Sequence, residues 1–299
     1  MRRVWLMAIQ SDYPKAESTK LPAGLAIQPR KFDFDDLEAV PQYWFLNNPI
    51  LTNIENVFSI IIPAGERFFI RSVRSFEGQV TDPEQKGLIK AFMLQEGLHS
   101  QAHTKFNNSM KNFGVDVDRE TKYFEKVLRG FERRLPKKTQ LGMTAFLEHL
   151  TAAGAHGILD NPEFDEMYAP EMLSFWRWHA VEELEHRAVA FDLLKVAKIG
   201  YFHRVFSAIL VLILLAAPVV KIFRRIMKDD SVTVTREMVK QARETNRKLM
   251  GPQVRMSVKY FKPGFHPWDI ENPKYLKAWY AAQEATAPEA IALETIEQR

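Results

Sequence analysis

Two segments pair a glutamate with a histidine three residues later: Glu96-Gly97-Leu98-His99 and Glu183-Leu184-Glu185-His186. On a helix this spacing puts carboxylate and imidazole on one face, a turn apart, where both reach one ion. A single pair carries little information, because both residue types are common on solvated faces. The company matters more. Glu66 precedes Glu96 by thirty residues and lies in an apolar run between Ile62 and Phe69, and Glu148 precedes Glu183 by thirty-five. A lone carboxylate buried in such a run is too costly to keep without a partner. Two divalent cations held close together bring four positive charges, which four carboxylates can balance. Carboxylate with imidazole suits iron or manganese, and the chain has no cysteine to favour a softer metal. The expected metal ligands are therefore Glu66, Glu96, His99, Glu148, Glu183 and His186. His179, four residues before Glu183, and His103, seven after Glu96, fall on the same faces, and each is open as a further imidazole ligand or an interior histidine. Glu182 rivals Glu183 at i,i+4 from His186. Glu185 points away, and His149 and His156 read as core residues.

Four helices must carry these groups. Apolar residues from Ile54 to Phe76 recur at helical spacing, and Pro63 should kink that helix one turn before Glu66. Asp82-Pro83 starts a second helix that stops at Gly114. A charged helical crossover runs from Asp116 to Pro136, a third long helix from about Thr139 to Asp160, and a fourth from about Pro170 to Lys198. The chain thus reads Glu, Glu-x-x-His, crossover, Glu, Glu-x-x-His. This is the ligand order of ferritin-like carboxylate bundles. The predicted fold is all-α: an N-terminal arm (1–45), a ferritin-like four-helix bundle (46–200), and a C-terminal helical extension (201–299) with a polar helix over Thr235 to Leu249 and an acidic tail.

The 299 residues are 46% hydrophobic and 26% charged, the composition of a globular protein. Absent cysteine excludes disulfide scaffolds, zinc ribbons, iron–sulfur clusters and thiol nucleophiles. A net charge of +4 gives no case for nucleic acid. The basic start lacks a proper apolar core and cleavage site, which makes cytoplasm the expected compartment. Val205 to Val220 is apolar and flanked by Arg204, Lys221, Arg224, Arg225 and Lys228. Sixteen residues span ~24 Å, short of a ~30 Å hydrocarbon core. The segment is expected either to meet a membrane peripherally or to form a core or homodimer interface.

Pro63-Ala64-Gly65-Glu66, Gln95-Glu96-Gly97-Leu98-His99, Glu148-His149-Leu150, the run from Trp178 to Asp192 and the Pro263-Gly264-Phe265-His266-Pro267 loop resemble the bacterial family known as predicted metal-dependent hydrolases, from about residue 40 to 280. The trio His179, Glu183 and His186 is similar to that of the arylamine N-oxygenases, a resemblance that implies His179 as a ligand. The donor types in an apolar bundle suggest two iron ions, with manganese as the alternative, activating O₂ to oxidise a small hydrophobic organic substrate. No dinucleotide fingerprint is present, so a separate electron donor is expected. The alternative is a bimetallic hydrolase that activates water. A storage or purely structural bundle stands third. No catalytic group beyond the metal ligands follows from the sequence.

Overall fold

The computed structural model describes residues 25–32 and 40–271 continuously, and residues 7–8, 21, 274, 276 and 278–281 besides. Most of the predicted N-terminal arm and the acidic tail lie outside the described residues. The fold is all-α. Among the described residues strand is confined to one two-residue antiparallel pair, Met7–Ala8 with Arg30–Lys31, and an isolated bridge between Phe45 and Tyr168.

Four long helices form the bundle: α1 (Pro49–Glu77), α2 (Pro83–Ser109), α4 (Lys137–Asp160) and α6 (Pro170–His186). α1 packs on α2 and on α4, and α6 packs on α4 and on α2, so the four close around one axis. The crossover is α3 (Val117–Arg134), laid against α1. Local chemistry sets the starts. Asn48 accepts from the amides of Ile50 and Leu51 ahead of Pro49, Asp82 accepts from Glu84 ahead of Pro83, and Asp116 accepts from Arg119. Each cap satisfies amides that have no partner inside the helix. Gly114 ends the second segment in the left-handed region at φ 81°, after a 3₁₀ turn over Met110–Phe113. α1 continues through Pro63.

The expected fourth helix differs in extent. α6 stops at His186, Arg187 and Ala188 turn, and α7 (Val189–Val196) follows. No proline or glycine marks this break. Arg187 is drawn aside instead, donating to the carbonyl of Ile270 at 2.7 Å with its guanidinium over Trp268. α5 (Phe164–Met167) is a single turn before α6, and α8 (Tyr201–Asp229) covers α4 and α1. α9 (Arg236–Ser257) outruns the predicted end at Leu249 and passes through Pro252. Packing on α4 holds that extension: His149 Nε2 lies 3.1 Å from the carbonyl of Met256, and Gly157 leaves room for Gln253. The larger hydrophobic cluster runs from Ile27 to Phe265 across all three predicted segments, and a smaller one gathers Leu25, Ala152, Leu159, Leu184 and Leu276.

Candidate metal centre

The bundle axis holds charge where a helical protein normally holds leucine. Glu66 of α1, Glu96 and His99 of α2, Glu148 of α4, and His179, Glu183 and His186 of α6 are all buried. Their donor atoms fall into two groups, Glu66–His99–His179–Glu183 and Glu96–Glu183–His186. Glu183 belongs to both. Its Oε1 lies 2.9 Å from His179 Nε2 and 3.7 Å from His99 Nδ1, while its Oε2 lies 3.6 Å from His186 Nε2. Glu66 Oε1 completes the first group at 3.6 Å from His99 Nδ1. In the second, Glu96 Oε1 stands 3.0 Å from His186 Nε2. Glu148 is beside that group, its Oε2 3.3 Å from His186 Nε2, but belongs to neither. Glu182 faces elsewhere, so between the two adjacent glutamates the cluster takes Glu183.

Every imidazole has its outer nitrogen engaged, and these bonds assign the inner one. His99 Nε2 lies 3.0 Å from Glu182 Oε2. With Nε2–H donating there, Nδ1 faces the cluster. Gln95 donates its amide to Glu185 at 2.7 Å, so its oxygen accepts from His186 Nδ1 at 2.9 Å, and Nε2 turns inward. His179 is fixed through a longer chain. Ser59 donates to Asn107 Oδ1 at 2.6 Å and therefore accepts from His103 Nδ1 at 2.8 Å. His103 Nε2 then accepts from His179 Nδ1 at 2.9 Å, which leaves His179 Nε2 for the cluster. Both nitrogens of His103 are spent in this chain. It is outside both donor groups and orients His179, which belongs to one of them, as outer partners do at metal sites.

Arg30 was not singled out by its sequence context. It is buried, and its amide donates to Glu182 Oε1 at 2.8 Å while its guanidinium donates to Glu185 Oε1 at 2.7 Å and Oε2 at 3.1 Å. Tyr280 adds a 2.6 Å bond to Glu185. Segments from both ends of the chain thus hold the carboxylates that hold His99 and, through Gln95, His186. Glu182, Glu183 and Glu185 are three acids on one buried helix, and that concentration was the available signal for a buried cation elsewhere in the chain.

Burial pushes Glu96 up to about 8, with the Glu148 carboxylate adding to it, and pushes Glu148 up to about 7. Glu66 is raised by burial and by Glu96. Burial opposes charge at Glu183 and His186 too, but their mutual attraction outweighs it, lowering Glu183 and raising His186. His99 and His103 are held neutral by burial and by the neighbouring His179 ring.

The residues fit a divalent pair. Glu66 Oε1, both oxygens of Glu96 and of Glu148, His99 Nδ1, Glu183 Oε2 and His186 Nε2 are buried with no hydrogen-bond partner outside the cluster. So many unpaired buried donor atoms, converging on one place, are far outside what folded proteins tolerate unless an ion satisfies them. The shell around them is aromatic: Phe92 meets His186 edge-on at 5.0 Å between centroids, and Trp178 meets His99 at 5.0 Å. A pocket of about 540 Å³, open to solvent between α1 and α2, is lined in part by Ser100, whose hydroxyl donates to Glu66 Oε2 at 2.7 Å. Arg67, which pairs with Glu125, and Lys105 also line it.

Comparison with curated proteins and with solved structures finds no match. The sequence profile of the family described as "Predicted metal-dependent hydrolase" matches residues 28–271, which includes every group of the centre and Arg30. The chain belongs to this family of predicted metal-dependent hydrolases.

Proposed function

We propose that the chain is a hydrolase working with a bimetallic centre on a small ester or phosphodiester, with iron as the first choice of metal and manganese as the second. The observation that carries this is the shared carboxylate: Glu183 joins two buried donor groups whose atoms lack other partners. A metal pair held there would polarise the scissile carbonyl or phosphoryl oxygen and lower the pKa of water. The chain supplies the rest. Glu66, His99 and His179 complete one position with Glu183, and Glu96 and His186 the other. Glu148, buried beside the second position and outside both donor groups, is placed to accept the proton of the attacking water at its carboxylate. The pocket at Ser100 is the proposed entrance for the substrate.

A second reading rests on the donor set itself. Several carboxylates and three imidazoles inside an aromatic, water-poor shell are also suited to O₂ activation by iron, with an organic substrate and an external electron donor. One comparison separates the two. Iron- and manganese-loaded protein is offered p-nitrophenyl acetate and bis(p-nitrophenyl) phosphate under anaerobic conditions, and O₂ uptake by the reduced iron form is followed separately. Hydrolysis without oxygen supports the hydrolase. Oxygen uptake coupled to oxidation of an added aromatic, with neither ester cleaved, transfers the protein to the oxygenase reading.

A further inference from the structure

We infer that the outward face of α8 docks on an anionic lipid bilayer, with the helix lying flat on the surface. α8 has a mean hydropathy of 2.6 over its most apolar window, yet only 28% of that window is buried. Its inner side is firmly seated. Ser207, Ala208, Val211, Ile222 and Ile226 are fully buried, and Gly142 of α4 comes so close that a Cβ there would meet Ser207 Oγ at 2.5 Å. The outer side carries Phe202, Phe206, Ile209, Leu212, Ile213 and Val220, each between 47% and 85% exposed. With the exposed Ala216 between Ile213 and Val220 they keep to one helical face and form one stripe roughly 27 Å long at ~1.5 Å per residue. A continuous apolar stripe of this size marks an interaction surface, unlike scattered exposed side chains.

Charge selects the occupant. α8 has no acidic residue before Asp229, and Lys221, Arg224 and Lys228 are exposed at its C-terminal end. At the other end, Thr139 Oγ1 lies 3.1 Å from His203 Nε2, so the start of α4, which carries the exposed Lys137 and Lys138, meets the start of α8. Basic groups thus flank the stripe at both ends, the pattern of a helix that beds its apolar face among anionic headgroups. Pairing α8 with α8 of a second copy, in either direction, would set basic ends against basic ends. Crossing the bilayer would strip the five buried residues from α4 and α1, so the helix lies flat.

Flotation of the full chain with phosphatidylcholine vesicles, with and without phosphatidylglycerol, tests this. The chain is expected to float with the phosphatidylglycerol vesicles and to be released by high salt. Phe206→Glu with Ile213→Glu, both at exposed positions, should lower partitioning at least tenfold with far-ultraviolet circular dichroism and metal content unchanged. Lys221→Gln, Arg224→Gln and Lys228→Gln together should lower it about a hundredfold, at roughly fivefold per basic residue. This second set carries the test alone if the first fails to fold. Three outcomes overturn the proposal: no flotation with anionic vesicles, a soluble dimer that Ile213→Glu dissociates, or resistance to alkaline extraction from membranes, which would make α8 a spanning helix.

Discussion

Each imidazole at the centre presents one particular nitrogen because its other nitrogen is already engaged, and the partners differ: a carboxylate for His99, an amide for His186, a second histidine for His179. The inner residues should fail differently from the outer ones. Glu96→Ala and His186→Ala are expected to remove most of the roughly two metal ions per chain, read by elemental analysis of the purified variants. Glu148→Gln, beside the second donor group, should retain metal and lose turnover; loss of metal instead would make Glu148 a ligand. His103→Phe removes the acceptor that fixes His179 while leaving every inner atom in place. Its expected effect is a ~10–100-fold loss of metal affinity, measured by chelator competition, with a fold indistinguishable by circular dichroism. The sequence placed His103 on the correct face, but spacing alone does not distinguish a ligand from the residue behind it, because both lie on the same side of the helix.

At the scale of elements, the four ligand helices were legible from the apolar period after Ile54 and from the starts at Asp82-Pro83, Pro136 and Pro170, while the Asn48-Pro49 start of α1 was not read from the sequence. The break after His186 and the run of α9 through Pro252 were not, since tertiary contacts decide both. Seating α8 against α4 depends on Gly142. Gly142→Ala would place a methyl against Ser207 Oγ and should destabilise the protein by ~1–3 kcal/mol. Adding Ser207→Gly should recover part of the loss in denaturant titrations.

For the whole molecule, the centre ties the ends of the chain to its middle. Arg30→Met would leave Glu182 and Glu185 buried without their cation, an expected loss of ~3–5 kcal/mol in chemical unfolding. Metal removal acts on the whole fold in the same way, because an ion bound only by the native chain stabilises it. The pH dependence has a definite sign. Glu96 and Glu148, raised to about 8 and about 7, prefer their protonated forms in the folded metal-free chain. The stability they contribute is present at low pH and disappears as pH rises through those values. The melting temperature of stripped protein should therefore fall between pH 5 and pH 8 in scanning calorimetry, while reloaded protein, its carboxylates neutralised by metal, should show a smaller decline.

The sequence alone determined the helical fold, the order of the four ligand helices and the chemical type of the centre. Ligand identity and i,i+3 spacing are local properties, and a carboxylate in an apolar run needs a partner whatever surrounds it. Only the tertiary structure decided that Glu183 is shared by both donor groups, that His103 stands behind His179, and that Arg30 closes the shell from more than a hundred residues away. Those choices depend on how far each helix is rotated about its own axis and on which distant segment packs against it. Packing of the whole chain fixes both quantities, and neither leaves a mark in the spacing of residues along one helix.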